Sequence, residues 1–225
     1  MYDLYAWKSA ESYKASIMLE ELDANYCVNP VDITSGEQNI TDFRALSPNG
    51  EVPVLVDNNS DVDRVFEPGA ILFYLAEKTG KLLPKDVIPR NEAIVWTFFE
   101  ASHLRPMTDQ MFYFENEAPE SVPFAKKRYR DEVLRLLEVL NGRLGFHPYL
   151  AGMEYSIADI ANYPRAKYAI TALREGEDKD AIEAMKPLLS WLERVESRPA
   201  VQRGIAVPTE DTMADVEEDS PSSLH

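Results

Sequence analysis

Apolar positions change their period partway along the chain, and the change divides it. Tyr2–Ala6 is a short run rich in Tyr and Leu with weak alternation, and it predicts a first strand. Lys14–Leu22 carries Ala15, Ile17, Met18, Leu19 and Leu22 at helical spacing. Tyr26–Ile33 predicts a second strand. Val52–Val56 and Val65–Phe66 predict two more, joined by the polar turn Asn58-Asn59-Ser60-Asp61. Ala70–Lys78 then reads as a helix stopped by Gly80. This β-α-β, then β-β-α order is that of a thioredoxin-like domain over about residues 1–79.

Residues 80–90, with Pro84 and Pro89, read as a linker. Beyond them the period is helical throughout, so residues 91–207 form an all-α second domain. Glu92–Phe114 and Phe124–Leu144 are long, and Pro106 predicts a kink in the first. Ser156-Ile157-Ala158-Asp159 is a helix start, its serine able to cap an early N–H while the acid reaches back; Tyr155 precedes it as a hydrophobic staple. A further helix covers about Ala181–Val195, and a last turn follows Pro199. From Pro208 the acidic, Ser- and Pro-rich composition predicts a disordered tail, 208–225. The fold class is α+β, followed by an all-helical half.

Composition narrows the function classes. A hydrophobic content of 45% suits a globular protein with an ample core. No apolar run approaches the roughly 18–20 residues a membrane span needs, and no basic segment precedes an apolar one as in a secretory leader. One cysteine, Cys27, rules out an internal disulfide framework and suits a reducing cytoplasm; in the second strand it is expected as a small buried apolar residue. The formal charge is −16, and six acids between Glu210 and Asp219 leave about −10 on the rest. Neither nucleic acid nor an anionic membrane is a natural partner for such a surface. No metal-ligand spacing, phosphate loop or Ser/His/Asp arrangement stands out.

The run Phe66-Glu67-Pro68-Gly69-Ala70-Ile71-Leu72-Phe73-Tyr74-Leu75, with Ser47-Pro48-Asn49-Gly50-Glu51-Val52-Pro53-Val54 upstream, resembles the glutathione-binding half of the glutathione transferase superfamily. It is most similar to the nu-class bacterial branch. Tyr155–Ala161 and Arg198–Gln202 extend the resemblance over nearly all of residues 1–208. It implies a homodimer that takes glutathione or another small thiol as co-substrate, without a metal, and attacks a small electrophile with it. Val52-Pro53 matches the family's cis-proline, whose preceding residue offers its backbone groups to the thiol donor; an ordinary trans proline at a strand edge is the alternative. Ser9 matches a hydroxyl that steadies the donor thiolate, or else it caps the following helix, with Ser12 and Tyr13 as further hydroxyls in that loop. Gln38 matches a contact to the donor's glycyl end, and Glu67 an acid that orients its amino group. Arg128 matches an arginine reaching across the dimer; a solvated basic face is the alternative.

Three positions depart from the family pattern. In relatives a Glu-Ser pair opens the third helix, and the serine's hydroxyl and N–H grip the γ-glutamyl carboxylate; here the second residue is Pro68, with neither group. Glu51 stands where close relatives carry lysine, and Glu11 where they carry asparagine. The donor is therefore expected to be a cysteine-derived thiol or persulfide rather than glutathione, held by Glu67, Glu11 or Glu51. Ordinary glutathione conjugation and a catalytically silent binding protein are the rival readings. The acceptor pocket is expected between the two domains, from Trp7, Trp96, Phe99, His103, Met107, Met111, Phe112 and Tyr113. Arg105, a glycine in relatives, is a candidate contact for a substrate anion.

Overall fold

The structure, a computed structural model, describes residues 1–210, 212 and 213. The chain divides into two compact units: Met1–Thr79 with the segment from Pro199, and Gly80–Arg198. The first contains β1 (Tyr2–Ala6), α1 (Ala10–Glu21), β2 (Tyr26–Pro30), a 3₁₀ turn (Glu37–Asn39), α2 (Thr41–Leu46), β3 (Val54–Asp57), β4 (Val65–Phe66) and α3 (Pro68–Thr79). Its strands lie in the order β2-β1-β3-β4. β1 runs parallel to β2 and antiparallel to β3, and β3 is antiparallel to β4. This is the thioredoxin-like sheet.

Local chemistry moves several boundaries. β2 stops at Pro30; Val31 and Ile33 turn instead into a small apolar cluster with Phe43, Val52 and Val54. β3 starts two residues late, because Pro53 has no N–H for a ladder. α2 was not visible as a helix, since six residues give too few turns for a period. Cys27 is exposed, against the expectation of a buried thiol. It lies on β2, an edge strand, where Tyr26 and Val28 are the half-buried neighbours.

The second unit holds α4 (Val87–Phe99), α5 (Arg105–Phe112), α6 (Pro123–Leu144), α7 (Ile157–Arg174), α8 (Lys179–Ala184) and α9 (Lys186–Glu196). α4 reaches back into the segment read as linker, since a helix's first turn needs no N–H from Pro89. The long Glu92–Phe114 pattern stays helical but passes through a π-turn at Glu100–Leu104. That turn lies just before Pro106, whose ring and missing N–H spoil a regular α-ladder. A second π-turn covers Tyr113–Glu117. The Ala181–Val195 run breaks at Met185, ahead of Pro187.

At the centre of this unit Asp159 closes the capping box with Ser156. Its Oδ2 accepts from the Ser156 N–H at 3.0 Å and hydroxyl at 3.3 Å; its Oδ1 accepts from Leu150 N at 3.0 Å and Trp191 Nε1 at 2.9 Å. Tyr155, expected as a staple, stands edge-on to Tyr149 at 5.7 Å. The last helix, α10 (Pro199–Gly204), packs on α1 in the first unit, whereas its helical pattern had placed it with the second. Gly204 permits this: a Cβ there would come within 2.6 Å of Ile17 Cα, and the Ser16 hydroxyl donates to the Gly204 carbonyl at 2.7 Å. Of the expected tail, Pro208–Glu210, Thr212 and Met213 are described, with Met213 N bonded to Thr209 O at 3.1 Å; the remainder lies outside the described residues. No helix among the described residues is long and apolar enough to cross a membrane.

Candidate functional site

Strand register brings several of the candidate donor residues to one end of the sheet, while Arg128 lies on α6 of the helical unit. Tyr5 and Phe66 both pair with Val54 from opposite sides. The chain leaving β1 toward Trp7 and Ser9, and the chain entering α3 through Glu67, therefore flank Val52-Pro53. The Val52-Pro53 bond is cis. Glu51 and Asn49 line a cleft there with Phe66, Glu67 and Pro68. The cleft encloses about 10 Å³, room for one water, so a donor would lie across this edge rather than sink into it. The Ser47 hydroxyl fixes the loop by accepting from Glu51 N at 3.1 Å and donating to Glu51 O at 2.9 Å.

Glu67 is exposed and held at φ 70°, a left-handed conformation costing a non-glycine residue about 1–3 kcal/mol. Its carbonyl accepts the first bond of α3, from Ile71 N at 3.0 Å. Pro68 follows as the first helical residue and is buried. The position suits proline, and it leaves the helix start one N–H short of what an anion would meet.

The β1–α1 loop is tied more tightly than its residue types implied. Ser9 caps α1: its Oγ accepts from Ser12 N at 3.2 Å and donates to Ser12 Oγ at 3.1 Å. Ser12 is fully buried and also accepts from Trp7 N at 3.2 Å. Trp7 packs on the Val52 cluster. Glu11 is buried against Lys14, Oε2 to Nζ 2.8 Å, with side chains 9% and 1% exposed. Its charge is thus balanced within α1 and adds little repulsion toward a donor. The sequence reading missed Lys14, although Glu and Lys three apart on a helix are natural partners. Tyr13 is half-buried, its phenol pushed up by burial, and with Lys8 and Pro208 it lines a separate open cavity.

Gln38 is half-buried on the 3₁₀ turn, and its Oε1 is buried without a hydrogen-bond partner. Arg44, also missed, lies against Gly50, where the Gln38 carbonyl oxygen is also close.

In the helical unit the expected acceptor residues fall into several places. Trp96 stands edge-on to Phe99 at 5.2 Å and donates to Glu92 at 3.2 Å. His103 is exposed, stacks on Phe99 at 5.8 Å and meets the Ser102 hydroxyl at 2.8 Å. Arg105 faces Asp109 at 3.7 Å, and Asp109 is held in turn by Arg165 at 2.6 Å. Met107 shares a cavity of about 610 Å³ with Phe124, Arg128 and Arg135. Met111 and Phe112 line another, of about 440 Å³, with Tyr168 and Arg130. Tyr113 is exposed and stands edge-on to Phe114 at 5.2 Å. Among the described residues no group of three or more His, Cys, Asp or Glu is placed to hold a metal ion.

A thioredoxin-like unit bearing a cis X-Pro edge beside a helix start, in one chain with an all-helical unit, defines a class that the comparisons identify. The model of the glutathione S-transferase N-terminal domain matches residues 2–77, and that of the C-terminal domain residues 96–199. The chain belongs to the glutathione S-transferase family. It is 37% identical over 209 residues to disulfide-bond oxidoreductase YfcG of Escherichia coli strain K12, covering 91% of this chain and 94% of that protein. Disulfide-bond oxidoreductase YghU of the same organism is 35% identical over 213 residues, covering 89% and 73%. Among solved structures, a glutathione transferase of Burkholderia graminis with two glutathione molecules bound per subunit aligns with a TM-score of 0.87 at 36% identity, covering 93% of this chain and 89% of that one.

Proposed function

We propose that this protein is a cytoplasmic thiol-dependent enzyme of the family whose donor grip has moved away from the start of α3. The carrying observation is Pro68, buried at the first position of that helix, in the cleft beside Val52-Pro53 and Glu67. A γ-glutamyl carboxylate there loses a hydroxyl and an N–H donor, each hydrogen bond to a charged group being worth about 1.5–3 kcal/mol. A smaller cysteine-derived thiol or persulfide, its ammonium toward Glu67 and Glu51, suits the edge better. In the transfer step the donor thiolate attacks an electrophilic carbon, and the new C–S bond forms as the bond to the leaving group breaks. The helical unit offers apolar walls for a small electrophile around Met111, Phe112 and Tyr168.

Thiol–disulfide exchange is a second reading, favoured by the relatives named disulfide-bond oxidoreductases. The chain's one cysteine, Cys27, lies on β2 rather than in the Ser9 loop, so the attacking sulfur would have to come from the donor. Both readings place the thiolate near the N-terminal end of α1. Ser9→Ala is expected to cut turnover at least tenfold while costing about 1 kcal/mol of stability as a lost cap. The check is steady-state rate beside urea unfolding; undiminished turnover would remove Ser9 from the mechanism.

We further infer a homodimer. Val95 and Phe98 stand exposed three residues apart on α4, and Phe124 at the start of α6 is 79% exposed. Light scattering should give about twice the 25.5 kDa of one chain, and a monomer mass would reject this.

A further inference from the structure

Arg44, on α2, is an exposed cation whose guanidinium makes no hydrogen bond or ion pair among the described residues. Its guanidinium nonetheless has a defined seat. A Cβ at position 50 would fall on Arg44 Nη1 and lie 3.3 Å from the Gln38 carbonyl oxygen. Gly50 is held at φ 69° as well, so the position requires glycine both for its backbone and for the arginine it admits. The guanidinium thus rests against a bare Cα, one residue from Glu51 and two from Val52. The backbone of Gln38 closes the other side of position 50.

A planar fork of N–H donors, steadied on one side and unsatisfied on the other, matches a carboxylate bidentately. Its charge also alters the balance of the edge. Glu51 and Glu67 line the cleft, and Arg44 lies against Gly50, the residue before Glu51. Such a surface recognises a zwitterion, with ammonium toward the acids and carboxylate toward the arginine.

The geometry points to Arg44 as the carboxylate-recognising residue of the donor groove, pairing with a free carboxylate of the thiol and so selecting zwitterionic thiols. This rests on reading the Val52-Pro53 edge as the thiol site. It names a residue that compensates for the lysine absent at Glu51.

Calorimetric titration tests it with two probe pairs: glutathione against its glycyl ethyl ester, and cysteine against cysteine ethyl ester. For whichever free acid binds the native protein, masking the carboxylate should weaken binding about 10- to 100-fold. Arg44→Gln should weaken the free acid by a similar factor and bind acid and ester alike, while Arg44→Lys restores part of the difference. Thermal unfolding should leave Arg44→Gln close to the native protein, because the side chain is exposed. Equal native binding of acid and ester overturns the assignment without involving any variant, and so does native-like discrimination by Arg44→Gln. If the native protein binds neither thiol, the thiol-site reading falls and takes this assignment with it.

Discussion

Asp159→Ala should destabilise the helical unit by about 3–5 kcal/mol, the largest stability loss expected of any substitution considered. The carboxylate is fully buried and serves four donors: Ser156 N and Oγ, Leu150 N and Trp191 Nε1. Alanine leaves all four buried without an acceptor, at about 1–3 kcal/mol for each group that finds no water. Urea unfolding followed by tryptophan fluorescence would measure it; a loss below about 1 kcal/mol would show that α7 is held by other means. Burial pushes the Asp159 carboxyl up to about 6, although the same four donors pull it down. The folded state therefore binds a proton more tightly than the unfolded chain, whose carboxyl titrates near 4. The stability this brings is present below about pH 4 and is lost as pH rises through about 6. The deficit of Asp159→Asn relative to the native protein should accordingly be larger at pH 4.5 than at pH 7.5.

Pro68→Ser should tighten glutathione binding about 100-fold. The substitution returns an N–H and a hydroxyl to the start of α3, where the helix dipole already favours an anion. Two charge-assisted hydrogen bonds of about 1.5–3 kcal/mol each set the scale, at about 1.4 kcal/mol per decade. Fold stability should fall by less than about 1 kcal/mol, the entropic advantage of proline at a compatible site. Calorimetry on both proteins decides it. Unchanged affinity would place the carboxylate grip elsewhere even in the serine variant.

Much of the fold was legible because its signals were local. β1 and β4 fall at their predicted residues, and the capping box at Ser156 and Asp159 forms as its residue types demand. What escaped depended on tertiary contacts or on very short elements. α2 spans six residues, and α10 belongs with α1 because Gly204 meets Ile17, a contact with no trace in periodicity. Cys27 looked buried by residue type but lies on an edge strand. The site divides the same way. Val52, Pro53, Glu67 and Pro68 were singled out by the family resemblance, and they line one cleft. The pairing of Lys14 with Glu11 and the seat of Arg44 over Gly50 became visible only with the side chains in place.

The most direct test is calorimetric titration of the native protein with glutathione and, in parallel, with cysteine. Glutathione should bind at millimolar strength or not at all, with cysteine binding more tightly. Micromolar glutathione binding would contradict a displaced grip and return the protein to ordinary glutathione chemistry.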